Sequence, residues 1–555
     1  MGILKPILFV QVLLISLFSS SHSLLPSRHH FRHHHHPHSH IVNGSYHIKH
    51  FTQNLDHFDY TPESYRTFQQ RYLIDTTCWG GAKKGSPIFV FIGDQEDIQH
   101  TAGTKGYMFE INKVFKAMVV FIEHRYYGKS IPYGSKEVAY KNSTTLGYLN
   151  TRQALADVAT LVTDLKKNVS ALDSPVVVFG SGYAGIMATW FRLKYPHVAL
   201  GALASSAPIL DFDNMVSPHS FTDIITKNIK SESESCYKTI KKSWGEFEKI
   251  LKQNGGGDKL SKSFKICAPH PIKDDLHDKL FGLIELALIY SSLSDYPYES
   301  HIHTPLPPFP VKRMCEVIDY PKGARDTASR ILGALNIFYN HTGKSPCFNL
   351  TSESKSSGIQ GWKWQGCTEL VEPSIKNKND SIFPPHTGKS PCFNLTSESK
   401  SSGIQGWKWQ GCTELVEPSI KNKNDSIFPP DYKHQHKQKS SDCPKDVKPR
   451  PHSITTEFGG HDLRRVLKRF GSNIIFYNGK RDPISAGGVL ESISKSIVAI
   501  VAPEGAHEAD LLYPKKEDAE WLEKVRNKEV KIIQKWLEEY YNDDNDNDDN
   551  NQDDD

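Results

Sequence analysis

No apolar run in this 555-residue chain is long enough to cross a bilayer. The run at 7–18 holds about 12 residues against the roughly 20 that a spanning helix needs, and no later stretch is a candidate. A polytopic membrane protein and a stable membrane anchor are therefore excluded. Charge of one sign is also lacking: Lys and Arg number 67 and Asp and Glu 63, a net charge of +4. The tail at 543–555 carries eight Asp and no base, so the rest of the chain is mildly positive. It shows no dense Lys/Arg stripe of the kind a phosphate backbone requires, and nucleic acid is excluded as a partner. Disorder throughout is excluded as well, because 38% hydrophobic and 11% aromatic residues are enough for a core.

The length overstates the folded body. At about 150 residues per domain, three or four domains would be expected. Residues 1–23, however, read as a signal peptide: Lys5, the apolar run, then small residues at Ser19–Ser21 and Ser23. Residues 24–45 form a His-rich leader with eight His between 29 and 40. Such tracts can ligate Zn²⁺ or Cu²⁺, but just past a signal peptide this one reads as a disordered leader, and no metal or cofactor is expected. Residues 386–430 repeat 341–385 letter for letter, and 543–555 are an acidic tail expected to be disordered. The identical tandem copy is not a solenoid, which needs several diverged copies. Its Trp362/Trp364 and Trp407/Trp409 cannot fill one slot twice, so one copy must loop out or disturb its surroundings.

The remaining residues suit an oxidising compartment. Nine cysteines are present, Cys78, Cys236, Cys267, Cys315, Cys347, Cys367, Cys392, Cys412 and Cys443. Discounting one copy leaves an odd number, and Cys78, far from the others, is expected to be unpaired. Sequons at Asn43, Asn142, Asn168, Asn340, Asn349, Asn379, Asn394 and Asn424 are the expected glycosylation sites. The secretory pathway is the expected route, ending in lysosome, vacuole or the extracellular space; monomer and homodimer are both left open.

Residues 50–73 alternate like strands. The short apolar runs at 87–92, 118–122 and 175–179 read as buried strands, with helical spacing at 151–167 and 185–195 and a further apolar stretch at 202–210. Strand, helix, strand in this order predicts a mostly parallel sheet with crossover helices. From 211 to 449 Lys, Ser and cysteine become frequent and helical periods such as 280–293 appear, as in a disulfide-stapled helical cap. The strand pattern returns at 473–477 and 497–502, and 517–541 is an amphipathic helix. The body is thus expected at 46–210 and 450–542, interrupted by the cap.

The chemistry is expected at the ends of these strands. Asp482 follows the strand at 473–477, and His507 follows the strand at 497–502. An acid and a base on loops past consecutive strand ends can meet at one edge of the sheet, as in a serine-hydrolase triad. The nucleophile belongs on a tight strand-to-helix turn, and 180–185, Gly-Ser-Gly-Tyr-Ala-Gly, is a turn of small residues in that place. Yet no register satisfies Gly-x-Ser-x-Gly: Ser181 sits in Phe-Gly-Ser-Gly-Tyr, and the frame centred on 182 has glycine at its middle.

The stretches FTQNLDHF (51–58), TFQQRYLI (67–74), EHRYYGKSIPYG (123–134), WFRLKYPH (190–197), GALASSAPIL (201–210), VKPRPHSITTEFGG (447–460), GSNIIFYNG (471–479), DPISAGGVL (482–490) and EGAHEADL (504–511) follow in order over nearly all of 50–515. On them the chain resembles the S28 serine peptidases, the Pro-Xaa carboxypeptidases and their dipeptidyl-peptidase relatives, and most of all the plant forms. The resemblance implies an α/β-hydrolase fold with an inserted helical cap, with Asp482 and His507 as acid and base. It puts the family nucleophile at Gly182, where the family has Gly-Gly-Ser-Tyr-Gly-Gly, leaving Ser181 as a displaced fallback. The oxyanion would be held by the Tyr183 amide and the loop at Gly93, here Gly-Asp-Gln-Glu for the family's Gly-Asn-Glu-Gly. Two further departures are Ile484 for a Trp and Glu508 for the second His of Ala-His-His. The resemblance also implies disulfides Cys236–Cys315 and Cys267–Cys347, with Cys443 joined to Cys367 or to Cys412.

Two functions follow. One is a serine exopeptidase, carboxypeptidase or dipeptidyl-peptidase, acting next to proline. The other is an inactive paralogue that keeps the fold and binds proline-containing peptides. Attack requires an oxygen that His507 can deprotonate, and chemistry therefore favours the second.

Overall fold

The computed structural model describes residues 46–550 apart from 213–214, 268–272, 301–304, 322, 324, 344–345, 349–408, 411–421, 430–452 and 460–461. The expected signal peptide, His-rich leader, Asn43, Asn349, Asn379, Asn394, Cys367, Cys412 and Cys443 lie outside the described residues.

Eight strands form one sheet: β1 (His47–Asn54), β2 (Thr67–Asp75), β3 (Ile88–Ile92), β4 (Met118–Ile122), β5 (Val176–Ser181), β6 (Gly201–Ser205), β7 (Ile474–Gly479) and β8 (Ile497–Ala502). Their order is β1-β2-β4-β3-β5-β6-β7-β8. The segment expected to alternate is the hairpin β1–β2, which pairs antiparallel and joins antiparallel to β4; all later pairings are parallel. β3, β4 and β5 are buried along their whole length. Helices cover both faces of the parallel part, so its strands carry unbroken apolar runs. The strand expected at 202–210 stops at Ser205, because Ser206 turns to φ 47° and ends the ladder.

Four helices matter for position: α1 (Ile98–Thr104), α2 (Met108–Phe115), α3 (Thr151–Asn168) and α4 (Tyr183–Lys194). α3 begins where the Asn150 side chain accepts from the Gln153 amide, and it buries Ala154, Leu155, Val158, Leu161, Val162 and Leu165. That is the i, i+3/i+4 stripe of an amphipathic helix, with Lys166 and Lys167 favourably placed at its C-terminal end.

The insertion is helical, with α5 (Ser220–Glu232), α6 (Glu234–Leu251), α7 (Gly256–Ser263), α8 (Lys273–Leu293), α9 (Pro310–Asp319) and α10 (Thr327–Tyr339) around a second apolar core. Cys236–Cys315 and Cys267–Cys347 bridge it, as the resemblance implied, and Cys78 is free. The body resumes with α11 (Ser453–Phe458) and α12 (Leu463–Phe470) and closes with α13 (Glu520–Asn550). α13 runs past 543, where disorder was expected; extending an established helix costs far less than nucleating one. No described helix is long and apolar enough to cross a membrane.

The two identical blocks share the work. From the first, Cys347 makes the bridge and Phe348 pairs with Ile266, its amide donating to the Lys265 carbonyl at 2.9 Å. From the second, Ile427 and Phe428 are buried in the cap core, the Trp244 indole donating to the Ile427 carbonyl at 2.9 Å. Trp409 of the second block packs with Tyr126, Tyr127, Leu146 and Leu149. Among the described residues, each docking position is filled once, by the start of the first copy or by the middle and end of the second.

Removal of any 45-residue window inside 341–430 yields the same single-copy sequence. It retains one equivalent of every docked residue. Shortening the connection between Phe348 and Trp409 roughly fourfold changes closure entropy by only about 1.2 kcal/mol. The single-copy protein is expected to unfold at nearly the temperature of the full chain, and calorimetry on both checks this; a large loss would mean that the second copy is structurally required.

Candidate active site

The loops after β3, β5, β7 and β8 all leave the sheet at the carboxyl ends of parallel strands, where open α/β sheets bind ligands. The turn after β5 is the tightest. Gly182 has φ 54° and ψ −123°, donates its amide to the Ser205 carbonyl at 3.0 Å, and is followed directly by α4. A side chain here would be strained, as at a nucleophile elbow. The flanking glycines are demanded by close approach. A Cβ on Gly180 would lie 2.1 Å from the Ala184 carbonyl oxygen, and one on Gly185 2.9 Å from Ala207. Ser181 is still part of β5, in register with Ser205 and buried; it precedes the apex. The apex of the turn is thus Gly182.

Tyr183 opens α4, so its amide belongs to the unsatisfied first turn of a helix. Its hydroxyl bonds Thr151 Oγ1 at 2.9 Å and accepts from Gln410 Nε2 at 2.8 Å, while Gln410 Oε1 accepts from Tyr127 at 2.6 Å. Gln410, from the second block, therefore braces the elbow from behind. Gly93 donates to the Ile122 carbonyl at 2.8 Å, and a Cβ would come within 2.4 Å of that oxygen. Only glycine lets the β3 loop pass so close to β4.

Asp482 and His507 meet as the sequence predicted. Asp482 Oδ1 accepts from the Ile484 amide at 2.9 Å, which orients the carboxylate, and Oδ2 lies 2.8 Å from His507 Nδ1; both residues are wholly buried. The cap grips the same loop: the His507 amide donates to the Leu293 carbonyl at 3.1 Å and Tyr296 donates to the His507 carbonyl at 2.8 Å. Arg481 reaches Asp295 from Nε at 2.7 Å and Glu232 from Nη2 at 2.8 Å.

Two participants escaped the sequence reading. Glu508 was noted only as a departure and Lys105 not at all. Glu508 Oε1 lies 3.1 Å from His507 Nε2, and Oε2 pairs with Lys105 Nζ. Glu508 takes φ 54°, and its amide donates to Ser206 Oγ at 2.9 Å. Nothing in the spacing of 105 and 508 announces such a pair.

These contacts set the protonation. Burial alone would depress the His507 pKa, but the carboxylates of Asp482 and Glu508 outweigh it and raise the imidazole to about 9. Burial would raise the Glu508 carboxyl, yet Lys105 and His507 hold it well below the usual range. Asp94, in the loop after Gly93, is pushed up to about 6 by burial and by Glu508, against the Glu96 amide and Lys105. Burial and Asp94 raise Glu96 further. Gln95 is buried with both side-chain polar atoms unpartnered.

The expected glycosylation sites Asn142, Asn168 and Asn424 are exposed and Asn340 is half-buried. Among the described residues, no group of three or more His, Cys, Asp and Glu is arranged to hold a metal.

Comparison with known proteins identifies the family. The family Serine carboxypeptidase S28 matches residues 53–393 and 376–529, the two matches overlapping inside the duplicated block. Lysosomal Pro-X carboxypeptidase of Bos taurus is 34% identical over 502 residues, 89% of each chain. The Homo sapiens protein of that name is 33% identical over 90% of each. Thymus-specific serine protease of Homo sapiens is 28% identical over 57% of this chain and 62% of its own. Among solved structures, an acetylester hydrolase from Corynebacterium glutamicum matches at 9% identity with a TM-score of 0.37, over 89% of this chain and 97% of its own.

The folded-state pKa of His507 lies above the ordinary 6.5. Its protonation therefore stabilises the protein fully below about pH 6.5, and the contribution is lost as pH rises toward about 9. The stability advantage of the wild type over His507→Gln, followed by thermal unfolding, should shrink across that interval; an advantage that does not change with pH would count against a charged imidazole.

Proposed function

Since this chain belongs to the serine carboxypeptidase S28 family and has the α/β-hydrolase fold, we propose that it is a peptide-binding member in which hydrolysis has lapsed at the nucleophile. In a serine peptidase the hydroxyl at the elbow attacks the carbonyl, the imidazole takes its proton, and the acid orients the imidazole. Asp482 and His507 are placed for the last two roles. Gly182 brings no oxygen for the first. That single observation, glycine at φ 54° and ψ −123° between β5 and α4, carries the reading. Removing the nucleophile from a serine protease costs on the order of 10⁶ in turnover.

Ser181 is a poor replacement. It sits one residue upstream in the strand, and adjacent strand residues point to opposite faces. A misplacement of about 1 Å already costs on the order of 100-fold. The groups that bind the peptide are unaffected by the loss. The Gly93 amide, expected as an oxyanion donor, is instead spent on the Ile122 carbonyl, so the Tyr183 amide and the loop that follows Gly93 are left to hold a peptide carbonyl beneath the cap. By similarity to the Pro-X carboxypeptidases, the ligands are peptides containing proline, and the compartment is the lysosome or another station of the secretory route.

The purified protein is expected to bind proline-containing peptides saturably in calorimetry. It should neither hydrolyse them nor be labelled by a fluorophosphonate. Labelling that is lost in Ser181→Ala would instead identify a working exopeptidase with a displaced nucleophile, and would overturn this reading.

A further inference from the structure

The place next to the elbow is not vacant. Among the described residues, a Cβ built on Gly182 meets Glu508 Oε1 alone within 4 Å, at 3.5 Å. The same oxygen is 3.1 Å from His507 Nε2, the nitrogen that would have to receive a proton from a hydroxyl at 182. We propose that Glu508 is a built-in carboxylate lock: its side chain lies in contact with the place a side chain at 182 would take and holds His507 from the side a substrate's chemistry would use.

The inference rests on the reading of Gly182 above and extends it. A hydroxyl at 182 and the Glu508 carboxylate would compete for the same His507 Nε2, so glycine at 182 and glutamate at 508 are mutually compatible. Glu508 has two oxygens and two cations, Lys105 on Oε2 and His507 on Oε1. If Glu508 served only to neutralise buried Lys105, the second oxygen would not need to reach the imidazole. The carboxylate also resembles the acid that a carboxypeptidase releases from its acyl-enzyme, a negative oxygen pair facing the protonated base. In effect the chain carries its own product mimic.

The backbone is bent to achieve this. Glu508 and Ser206 both lie in the left-handed region, at φ 54° and 47°, and are joined by the hydrogen bond from the Glu508 amide to Ser206 Oγ. Such conformations are strained for residues with a side chain and persist where the surrounding structure holds them. Asp94, Glu96 and Asp510 also face Glu508 at longer range and repel it, whereas Lys105 and His507 attract it. Attraction prevails, and the carboxylate stays ionised in acid compartments as in neutral ones.

The experiment restores the hydroxyl with and without the lock. Gly182→Ser alone should react slowly with a fluorophosphonate, since His507 is held charged and cannot accept the proton as the Oγ–P bond forms and fluoride leaves. The double variant Gly182→Ser/Glu508→Gln, isosteric but uncharged, should react faster by about 100-fold or more, the usual scale for a general base. Equal rates for the two variants, whether both fast or both negligible, would overturn the lock. A crystal structure of Gly182→Ser decides independently of whether the double variant folds. Nε2 should still face Glu508, and a serine Oγ within hydrogen-bond distance of Nε2 with Glu508 displaced would refute the proposal. Labelling of the wild type would refute the prior reading of Gly182 instead, so the two failures are distinct.

Discussion

Everything at the carboxyl edge of the sheet depends on how abruptly β5 becomes α4. One residue, Gly182, makes the turn, and it can do so only because Gly180 and Gly185 let the chain cross itself and β6 at distances that any Cβ would block. The turn points the first amides of α4 at the site and anchors Gly182 to Ser205 in the next strand. The geometry of the turn is enforced by packing around three glycines and does not require a side chain at 182.

Buried charge is handled in two ways in this protein. Arg125 is fully buried and bonds Asp157 from Nε and Nη2 at 2.7 and 2.6 Å, while its remaining donors reach the carbonyls of Asn54, Leu55 and Tyr148; His57 closes the cluster on Asp157. Glu123 similarly accepts from Arg71, from the amides of Ile98, Lys129 and Ser130, and from the Ser130 hydroxyl. These centres satisfy every nearby loop and act as staples, since a buried ion is tolerable only when fully bonded. Around His507 the arrangement differs. Four carboxylates, Asp94, Glu96, Asp482 and Glu508, gather there with Lys105, the Gln95 side chain has no hydrogen-bond partner among the described residues, and protonation states are pushed from their ordinary values. Shifted protonation states of this kind are what a functional site holds.

The fold was largely legible because its signals are local. β4 and β8 begin and end where the apolar runs at 118–122 and 497–502 do, and α3 exceeds the expected helix by a single residue. The stretch at 202–210 was read too long, since an apolar run does not reveal that Ser206 leaves the extended region. Within the site, Asp482, His507, Gly182 and Tyr183 were legible as strand-end and turn residues in a fixed order. Lys105 was not, because a lysine at the end of a short helix carries no mark of burial.

The sequence by itself determined the parallel sheet, the interrupted body, the helical cap and the glycine at the elbow. Each follows from hydrophobic period, from turn chemistry, or from the identity of one residue. Tertiary structure alone decided the rest. Two identical blocks have identical propensities, so only packing could assign Phe348 from the first and Ile427 and Phe428 from the second to the cap. Glu508 and Lys105 stand 403 positions apart, and a salt bridge at that separation exists only once the sheet has brought the β3 and β8 loops together. Electrostatic energy depends on distance in space, which no local pattern in the chain encodes.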